Sequence, residues 1–226
     1  MSYMWNEFNI KTFVAETIVF RDGVYCDELS TLPNAPINKN YDLPVHVIYV
    51  GEIAGENNLE ILVGADNQKV CVSVNIKIKK PAFFNIFIKN AGKNSEVLSH
   101  VMLENDSELT YKCDAEHLCE NTAVLIKNKI LAGKNSNSKL MGTAKINKDC
   151  VECRSDIAFS AMTEAGAKID FMPAQMIAAE PISADHSAGI YTPKENQIVY
   201  LRGAGLSGAE VDIAMREAFM ADFDLF

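Results

Sequence analysis

Apolar and polar residues alternate strictly in the stretch from Val70 to Lys79. Valine or isoleucine occupies every second position up to Ile78, and cysteine, serine, asparagine and lysine fill the positions between. A period of two is typical of a β-strand with one buried and one exposed face. Similar short runs follow, separated by segments rich in glycine, asparagine and serine, at residues 84–88, 96–103, 108–113, 122–126, 141–146 and 156–161. The pattern predicts an all-β fold.

Two all-β architectures fit this spacing of strands. Strands that follow one another with no long helix between them are found in β-sandwiches and in parallel β-helices. We find no repeat of fixed length in the chain, and a fixed repeat would have favoured the β-helix. The hydrophobic pattern alone therefore leaves both architectures open.

Helices are predicted at the two ends of the chain. Residues 5–15 are a weak candidate, since their apolar positions are spaced irregularly. The C-terminal candidate is stronger, because Ser207 and Glu210 have the spacing of a capping box. Apolar residues then recur at helical spacing at Val211, Met215 and Phe219. Such an apolar surface either docks on another protein or packs back on its own domain.

Composition and charge narrow the classes of partner. The chain has 226 residues and a net charge of −9, which disfavours binding to nucleic acid phosphates or to anionic lipid. It contains no apolar run that could span a bilayer, and its first residues lack the pattern of a secretory signal. Six scattered cysteines without an export signal are typical of reduced thiols. We therefore expect a cytoplasmic protein with no nucleic acid or membrane partner.

Two groups of cysteine and histidine residues are candidate metal or redox sites. Cys150 and Cys153 form a Cys-x-x-Cys pair, and Cys113, His117 and Cys119 lie within seven residues of one another. A single pair supplies only two ligands, and its side chains would point to opposite faces of a strand. We therefore favour a structural role for both groups over a metal site.

The segment from Pro173 to Phe219 has the most specific pattern in the chain. An Asp-His pair, Asp185 and His186, follows Pro173, and His186 lies thirteen residues after that proline. A Tyr-Leu-Arg-Gly-x-Gly-Leu turn from Tyr200 then leads into the C-terminal helix. This order resembles the end of the SufB/SufD family, the scaffold proteins of the SUF iron–sulfur cluster assembly system. Weaker similarity to the family occurs at residues 17–30, 43–50 and 129–146.

The resemblance implies a fold and a set of partners. It implies an all-β chain that forms a right-handed parallel β-helix with a short C-terminal helical segment. We expect an N-terminal segment at 1–40, the β-helix core at 41–200 and the helical segment at 201–226, forming one structural unit. Family members pair with a second β-helix, here a SufB-like subunit or a second copy of the chain. They also bind a SufC-like ABC ATPase through C-terminal helices, which points to Leu206, Val211, Met215 and Phe219 as partner-binding residues.

The resemblance also implies a site. It makes His186, with Asp185 beside it, the candidate ligand for a transient iron–sulfur cluster, and no cofactor is expected to bind tightly. The chain lacks a phosphate-binding Gly-x-x-x-x-Gly-Lys-Ser/Thr motif, so any ATP hydrolysis belongs to another chain. We therefore expect a SufD-like subunit that is not itself an enzyme.

One departure from the family keeps an alternative open. SufB carries an assembly cysteine twenty-eight residues before its histidine, and the corresponding residue here is Ala158. The alternative is a homodimeric structural β-helix protein that has lost cluster chemistry. A polysaccharide-cleaving β-helix enzyme ranks last, because it needs paired carboxylates in a groove.

Overall fold

The computed structural model describes residues 16–221, and the helix predicted at 5–15 lies outside them. Over this range the chain forms eleven strands, a short 3-10 turn at Asp27–Leu29 and two α-helices. The strands are β1 (Glu16–Arg21), β2 (Val24–Tyr25), β3 (Val45–Val63), β4 (Lys69–Asn90), β5 (Glu96–Asn105), β6 (Glu108–His117), β7 (Ala123–Ala132), β8 (Asn137–Ile146), β9 (Cys153–Thr163), β10 (Lys168–Ile177) and β11 (Ile182–Tyr191). The helices are α1 (Glu195–Gly203) and α2 (Gly208–Ala221).

From β4 onward the chain alternates between two parallel sheets. The first half of β4 pairs with β5, which is followed by β7, β9 and β11 in one sheet. The second half of β4 pairs with β6, which is followed by β8 and β10 in the other. A chain that crosses between two parallel sheets in this way is a β-helix, with about seven turns. The structure thus confirms the predicted fold and excludes the β-sandwich.

The coils differ in length. Lys69 stacks on Glu96 and Glu96 on Ala123, a separation of 27 residues in each case. Ala123 then stacks on Arg154, 31 residues further along. The extra residues lie in the turns between β7 and β8 and between β8 and β9, so the strands stay in register while the repeat length changes. This variation explains why the sequence shows no fixed period.

Apolar residues of both sheets fill the space between them. Val72, Ile126 and Ile157 are typical, since each side chain is at most 1% exposed, and they stack in one column with the buried Ser99. A series of aromatic rings also connects successive coils, with centroids 5.1–6.4 Å apart. The rings belong to Phe20, Tyr49, Phe84, Tyr111, Phe159 and Phe171. Ring pairs of this kind add to the stabilisation that burial alone provides.

The β-helix differs at both ends from the boundaries expected from the sequence. β1 pairs in parallel with β3 over six residues, so the stacked strands begin at Glu16 rather than near residue 41. At the other end, α1 begins at Glu195, six residues before the expected boundary at 201. No helix among residues 16–221 is long and apolar enough to cross a bilayer.

Helix α2 packs back on the β-helix. Its predicted capping box is present, since the backbone N–H of Ser207 donates to Glu210 Oε2 at 2.7 Å. The apolar stripe of Val211, Met215 and Phe219 is buried. The Phe219 ring stacks on the Tyr191 ring with centroids 5.8 Å apart. The backbone carbonyl oxygen of Phe219 accepts a hydrogen bond from Lys129 Nζ. Of the two alternatives for this stripe, the structure shows packing on the domain itself.

Asparagine side chains form a ladder along one corner of the β-helix. Asn67, Asn94 and Asn121 occupy equivalent turn positions with φ of 58°, 58° and 54°. Asn94 Nδ2 donates to Asn67 Oδ1 at 3.1 Å, and Asn121 Nδ2 donates to Asn94 Oδ1. Asparagine tolerates this left-handed conformation better than most residues. Glu152 has the equivalent position in the next coil, with φ of 57°.

We predict that Glu152→Asn stabilises the protein. The change places a residue suited to positive φ at this turn, and its amide can donate to Asn121 Oδ1. The free energy of unfolding should rise by about 0.5–1 kcal/mol, measured by urea denaturation at unchanged m-value. Glu152→Gln is the matched control and should have no such effect, because glutamine lacks the asparagine preference for this conformation. Equal stability of the two variants would contradict the prediction.

Candidate functional site

The last coil of the β-helix is uncovered. Within residues 16–221, β10 pairs only with β8 and β11 pairs only with β9. Each of these two strands therefore presents an edge of backbone N–H and C=O groups with no strand beside it. Free parallel edges of this kind are able to pair with a strand of another chain. We call this region, β10 and β11 with the space between them, the open end.

Side chains at core-facing positions of β11 are not buried. The core-facing residues of β9, among them Ile157 and Phe159, are each 1% exposed. By contrast, no residue of β11 is buried. The strands have the same alternation and the same register, so the difference arises because no further coil covers β11. The interior of the β-helix is thus accessible from this end.

His186 occupies one of these core-facing positions. It pairs in register with Ile157 of β9, which pairs with Ile126 of β7. The two residues directly below His186 in this column are therefore apolar, and the column ends in an exposed imidazole. Its neighbours on the same face of β11 are Ala184 and Ala188, whose small side chains leave space around the ring. The structure places His186 where a ligand entering the open end would meet it.

Asp185 lies on the opposite face of the strand. It pairs in register with Asp156 of β9, and alternation directs its side chain away from the core-facing side. Asp185 Oδ1 accepts a hydrogen bond from the backbone N–H of His186 at 2.8 Å. The two residues predicted as a pair are thus adjacent in the chain but do not face the same space.

The register explains the thirteen-residue spacing between Pro173 and His186. In the preceding coil Gly142 faces Ile157 across the interior, since a Cβ at Gly142 would lie 3.0 Å from Ile157 Cγ2. Pro173 stacks on Gly142, and His186 stacks on Ile157. Pro173 and His186 therefore face each other across the open end. The intervening residues are the end of β10, a short turn and the start of β11.

Ala158 lies on the strand next to His186. It pairs in register with Ser187 of β11, and its carbonyl oxygen accepts a hydrogen bond from Asn128 Nδ2 at 3.0 Å. Its side chain belongs to the outer face of β9, whereas His186 belongs to the core-facing side of β11. The residue that replaces the SufB-type cysteine is therefore close to the open end but on the other face of the sheet.

The structure gathers four of the five candidate thiol and imidazole residues at one corner. Cys153 Sγ lies 3.2 Å from Thr122 Oγ1 and 3.3 Å from the Cys119 carbonyl oxygen. Cys150 Sγ donates to the His117 carbonyl oxygen at 3.2 Å, and His117 Nδ1 lies 2.7 Å from Thr122 Oγ1. From the sequence these residues form two separate groups, because a local sequence pattern does not show which turns stack on one another in successive coils.

Burial controls the ionisation of this corner and of Cys113. It raises the pKa of the Cys150 thiol and lowers the pKa of His117 to about 4. Cys113 lies apart, beside Tyr111 and Asn128, where burial raises its pKa to about 12. Protonated thiols and a neutral imidazole pack as small, weakly polar groups. Within residues 16–221 no group of three His, Cys, Asp or Glu side chains is arranged to hold a metal ion.

The exposed apolar residues of the two helices were not identified from the sequence. Val199 and Tyr200 of α1 are 62% and 76% exposed, and Ile213 of α2 is 55% exposed. The predicted partner-binding residues Val211, Met215 and Phe219 are buried instead, and Leu206 is half-buried. A helical wheel of α2 would have placed Ile213 away from the buried stripe, which is the signal that was available.

The family comparison matches the part of the chain that contains this end. A family model described as "SUF system FeS cluster assembly, SufBD core domain" matches residues 57–219. The chain belongs to the SufBD family. The match begins within β3 and ends within α2, so it covers most of the β-helix, His186 and nearly all of the helical segment. Among curated proteins none matches the chain. SufBD membership gives this protein a role in SUF iron–sulfur cluster assembly.

We predict that His117 makes the SufBD protein less stable in mild acid. Its pKa of about 4 in the folded state lies below the ordinary value of 6.5. Below pH 6.5 the unfolded chain therefore binds a proton that the folded chain does not. This term should lower the free energy of unfolding by roughly 2–3 kcal/mol as pH falls to 4, and it should be absent above pH 7.

Urea denaturation of the wild type and of His117→Leu between pH 7.5 and 4 isolates this contribution. The difference in stability between the two proteins should change with pH only below about 6.5. A difference that stays constant over the whole range would show that His117 titrates normally in the folded protein.

Proposed function

We propose that this protein is a SufD-like subunit of an iron–sulfur cluster assembly scaffold and is not itself an enzyme. It binds a SufC-like ABC ATPase through its C-terminal helices and pairs with a second β-helix subunit at its open end. That subunit is SufB-like or a second copy of the chain. The observation that carries the proposal is the exposed imidazole of His186 at a core-facing position of an uncovered last coil.

The chemistry of His186 suits a transient iron ligand. A neutral imidazole nitrogen is a common ligand for iron. One imidazole does not hold a cluster by itself, and Asp185 faces the other side of the strand. The remaining ligands therefore come from the subunit that covers the open end. A site completed by two chains releases its cargo when the chains separate. Such a site suits a cluster that binds transiently rather than a tightly bound cofactor.

Several features of the open end favour a β-helix as the covering partner. Parallel strand edges gain backbone hydrogen bonds when another strand pairs with them. Apolar side chains at core-facing positions of β10 and β11 are also exposed, among them Ile177 at 42% and Ile190 at 55%. Pairing with a second β-helix would bury both the edges and these side chains. A subunit of the same fold supplies edges with the matching spacing.

The helical segment presents a separate surface for the ATPase. Burial of Val211, Met215 and Phe219 fixes α2 on the β-helix, and the ion pair between Arg216 and Glu164 adds to this attachment. We propose that Val199, Tyr200 and Ile213 form the contact surface for the ATPase, with Leu206 at the turn between the helices. The aromatic ring of Tyr200, 76% exposed, is the type of residue that dominates protein interfaces.

A second candidate function is a homodimeric structural β-helix that has lost cluster chemistry. Ala158 favours it, because the residue has no thiol at the position of the SufB-type cysteine. In that case the open end would still pair with another β-helix, but His186 would bind no iron.

We predict that His186 is required for cluster formation. Anaerobic incubation of the full chain, mixed with the β-helix subunit that covers its open end, with ferrous iron and sulfide should produce the visible absorbance of an iron–sulfur cluster. His186→Ala should lose most of this absorbance, because it removes the imidazole ligand. Asp185→Asn should retain it, because Asp185 faces the other side of β11.

His100→Ala is the matched control, since His100 lies on β5, remote from the open end. Its absorbance should equal that of the wild type. Absence of a cluster in the wild type, alone and mixed with a co-purified β-helix subunit, would favour the structural homodimer over the scaffold.

We predict that the exposed helical residues bind the ATPase. Tyr200→Asp and Ile213→Asp should each weaken binding of a SufC-like ATPase by about tenfold or more, since a charge at an apolar contact must be desolvated. Isothermal titration calorimetry with the purified ATPase measures the change. Asn196→Asp is the control on α1, because it adds the same charge at an exposed position that is already polar. Unchanged affinity in both apolar variants would contradict this assignment of the surface.

A further inference from the structure

Gln175 is a polar residue at the end of an apolar column. It lies on β10 and pairs in register with Ala144 of β8, which pairs with Ala115 of β6 and through it with Ile88 of β4. All three of these side chains are buried and apolar. The strand alternation therefore directs Gln175 toward the interior of the β-helix. A leucine or alanine would suit such a position better than an amide.

Among the described residues the amide nitrogen of Gln175 has no hydrogen-bond partner. Nε2 is buried, and no acceptor for it is found within residues 16–221. A buried donor left without an acceptor costs about 1–3 kcal/mol. The alanines stacked below it cannot supply an acceptor from their side chains. An acceptor that satisfies this donor therefore has to enter from the uncovered side of the coil.

The same coil places Gln175 next to His186. Pro173 faces His186 across the interior, and Gln175 follows Pro173 by two residues on the same face of β10. It therefore faces Ala184, the small neighbour of His186 on β11. The only imidazole in β11 and the only amide side chain in β10 thus occupy adjacent core-facing positions at the open end. Both belong to columns whose two preceding residues are apolar.

We infer that Gln175 is a positioning residue for the iron–sulfur group that His186 holds. Its Nε2–H donates a hydrogen bond to a sulfur atom, sulfide or thiolate, that is bound to the same iron. This inference rests on the proposed function of His186. Hydrogen bonds to the sulfur atoms of an iron–sulfur site shift its reduction potential and orient its ligands. Gln175 contributes no iron ligand, so it acts on the group through the sulfur alone.

The test compares the full-length wild type with Gln175→Leu, a variant of similar size that lacks the amide. Without iron, Gln175→Leu should be more stable than the wild type in urea denaturation, because the unpartnered donor is gone. With ferrous iron and sulfide under anaerobic conditions, it should bind iron about tenfold more weakly than the wild type. Any cluster that forms should have a shifted reduction potential and altered visible bands. Met176→Leu, on the outer face of the same strand, is the control and should change neither reading.

The outcomes separate this inference from the proposed function. Suppose that Gln175→Leu binds iron with the affinity, reduction potential and visible bands of the wild type, while His186→Ala loses the cluster. That result would overturn the role of Gln175 and leave the role of His186 unchanged. Lower stability of iron-free Gln175→Leu would also overturn it, because a structural amide behaves in that way. If the amide instead bonds to the backbone of a covering subunit, Gln175→Leu weakens that association while the cluster keeps its potential, and the inference again fails. Absence of iron binding in the wild type would reject both roles.

Discussion

Each coil of this β-helix depends on its neighbours for both hydrogen bonds and apolar cover. From β4 onward the strands of one coil bond only to strands of the coils before and after it within the described residues, and their core-facing side chains are buried by the same neighbours. A coil that lacks a neighbour on one side therefore exposes backbone edges and interior positions together. The open end follows from this dependence, and so does the exposure of His186, which occupies a position that would be buried in any earlier coil.

Coil length varies in the turns of the β-helix and not in its strands. Strand register is preserved from β4 onward, and the aromatic series from Phe20 to Phe171 packs across successive coils. The turns vary, since coil length increases from 27 to 31 residues without loss of register. The asparagine ladder ends at the start of the longer coil, at Asn121, and Glu152 takes the left-handed position after that coil. Cys119, Cys150 and Cys153 lie close together at this corner because successive turns stack there. His186, by contrast, lies on a strand, and its position is fixed by the pairing of that strand with β9.

The helical segment shows how one element can serve two purposes. The buried stripe of α2 attaches the helix to the β-helix, and the contact of Phe219 with Tyr191 joins it to the end of β11. The opposite side of the helices remains exposed, with apolar residues such as Tyr200. A partner bound to that side would be held in a constant orientation relative to the last strand. In this SufBD protein the packing of α2 thus connects the helical surface with the open end.

Local patterns in the sequence were sufficient to locate many of the strands and the last helix. The alternation from Val70 to Ile78 and the capping box at Ser207 depend only on residues close in the chain, and both are present in the structure. The spacing between Pro173 and His186 also identified the family and the candidate ligand. These features could be predicted because periodicity and capping are short-range properties.

The tertiary structure decided which residues meet. The choice between sandwich and β-helix depends on parallel pairing between residues about 30 positions apart, and variable coil lengths remove the repeat that would have revealed it. The opposition of Pro173 and His186, the separation of Asp185 from His186 and the unpartnered amide of Gln175 all follow from that pairing. Burial of Phe219 rather than its exposure to a partner was likewise decided by contacts with Tyr191 and Lys129. The amino-acid sequence by itself determined the alternation and the motif, and only the stacking of coils determined which side chains share the open end.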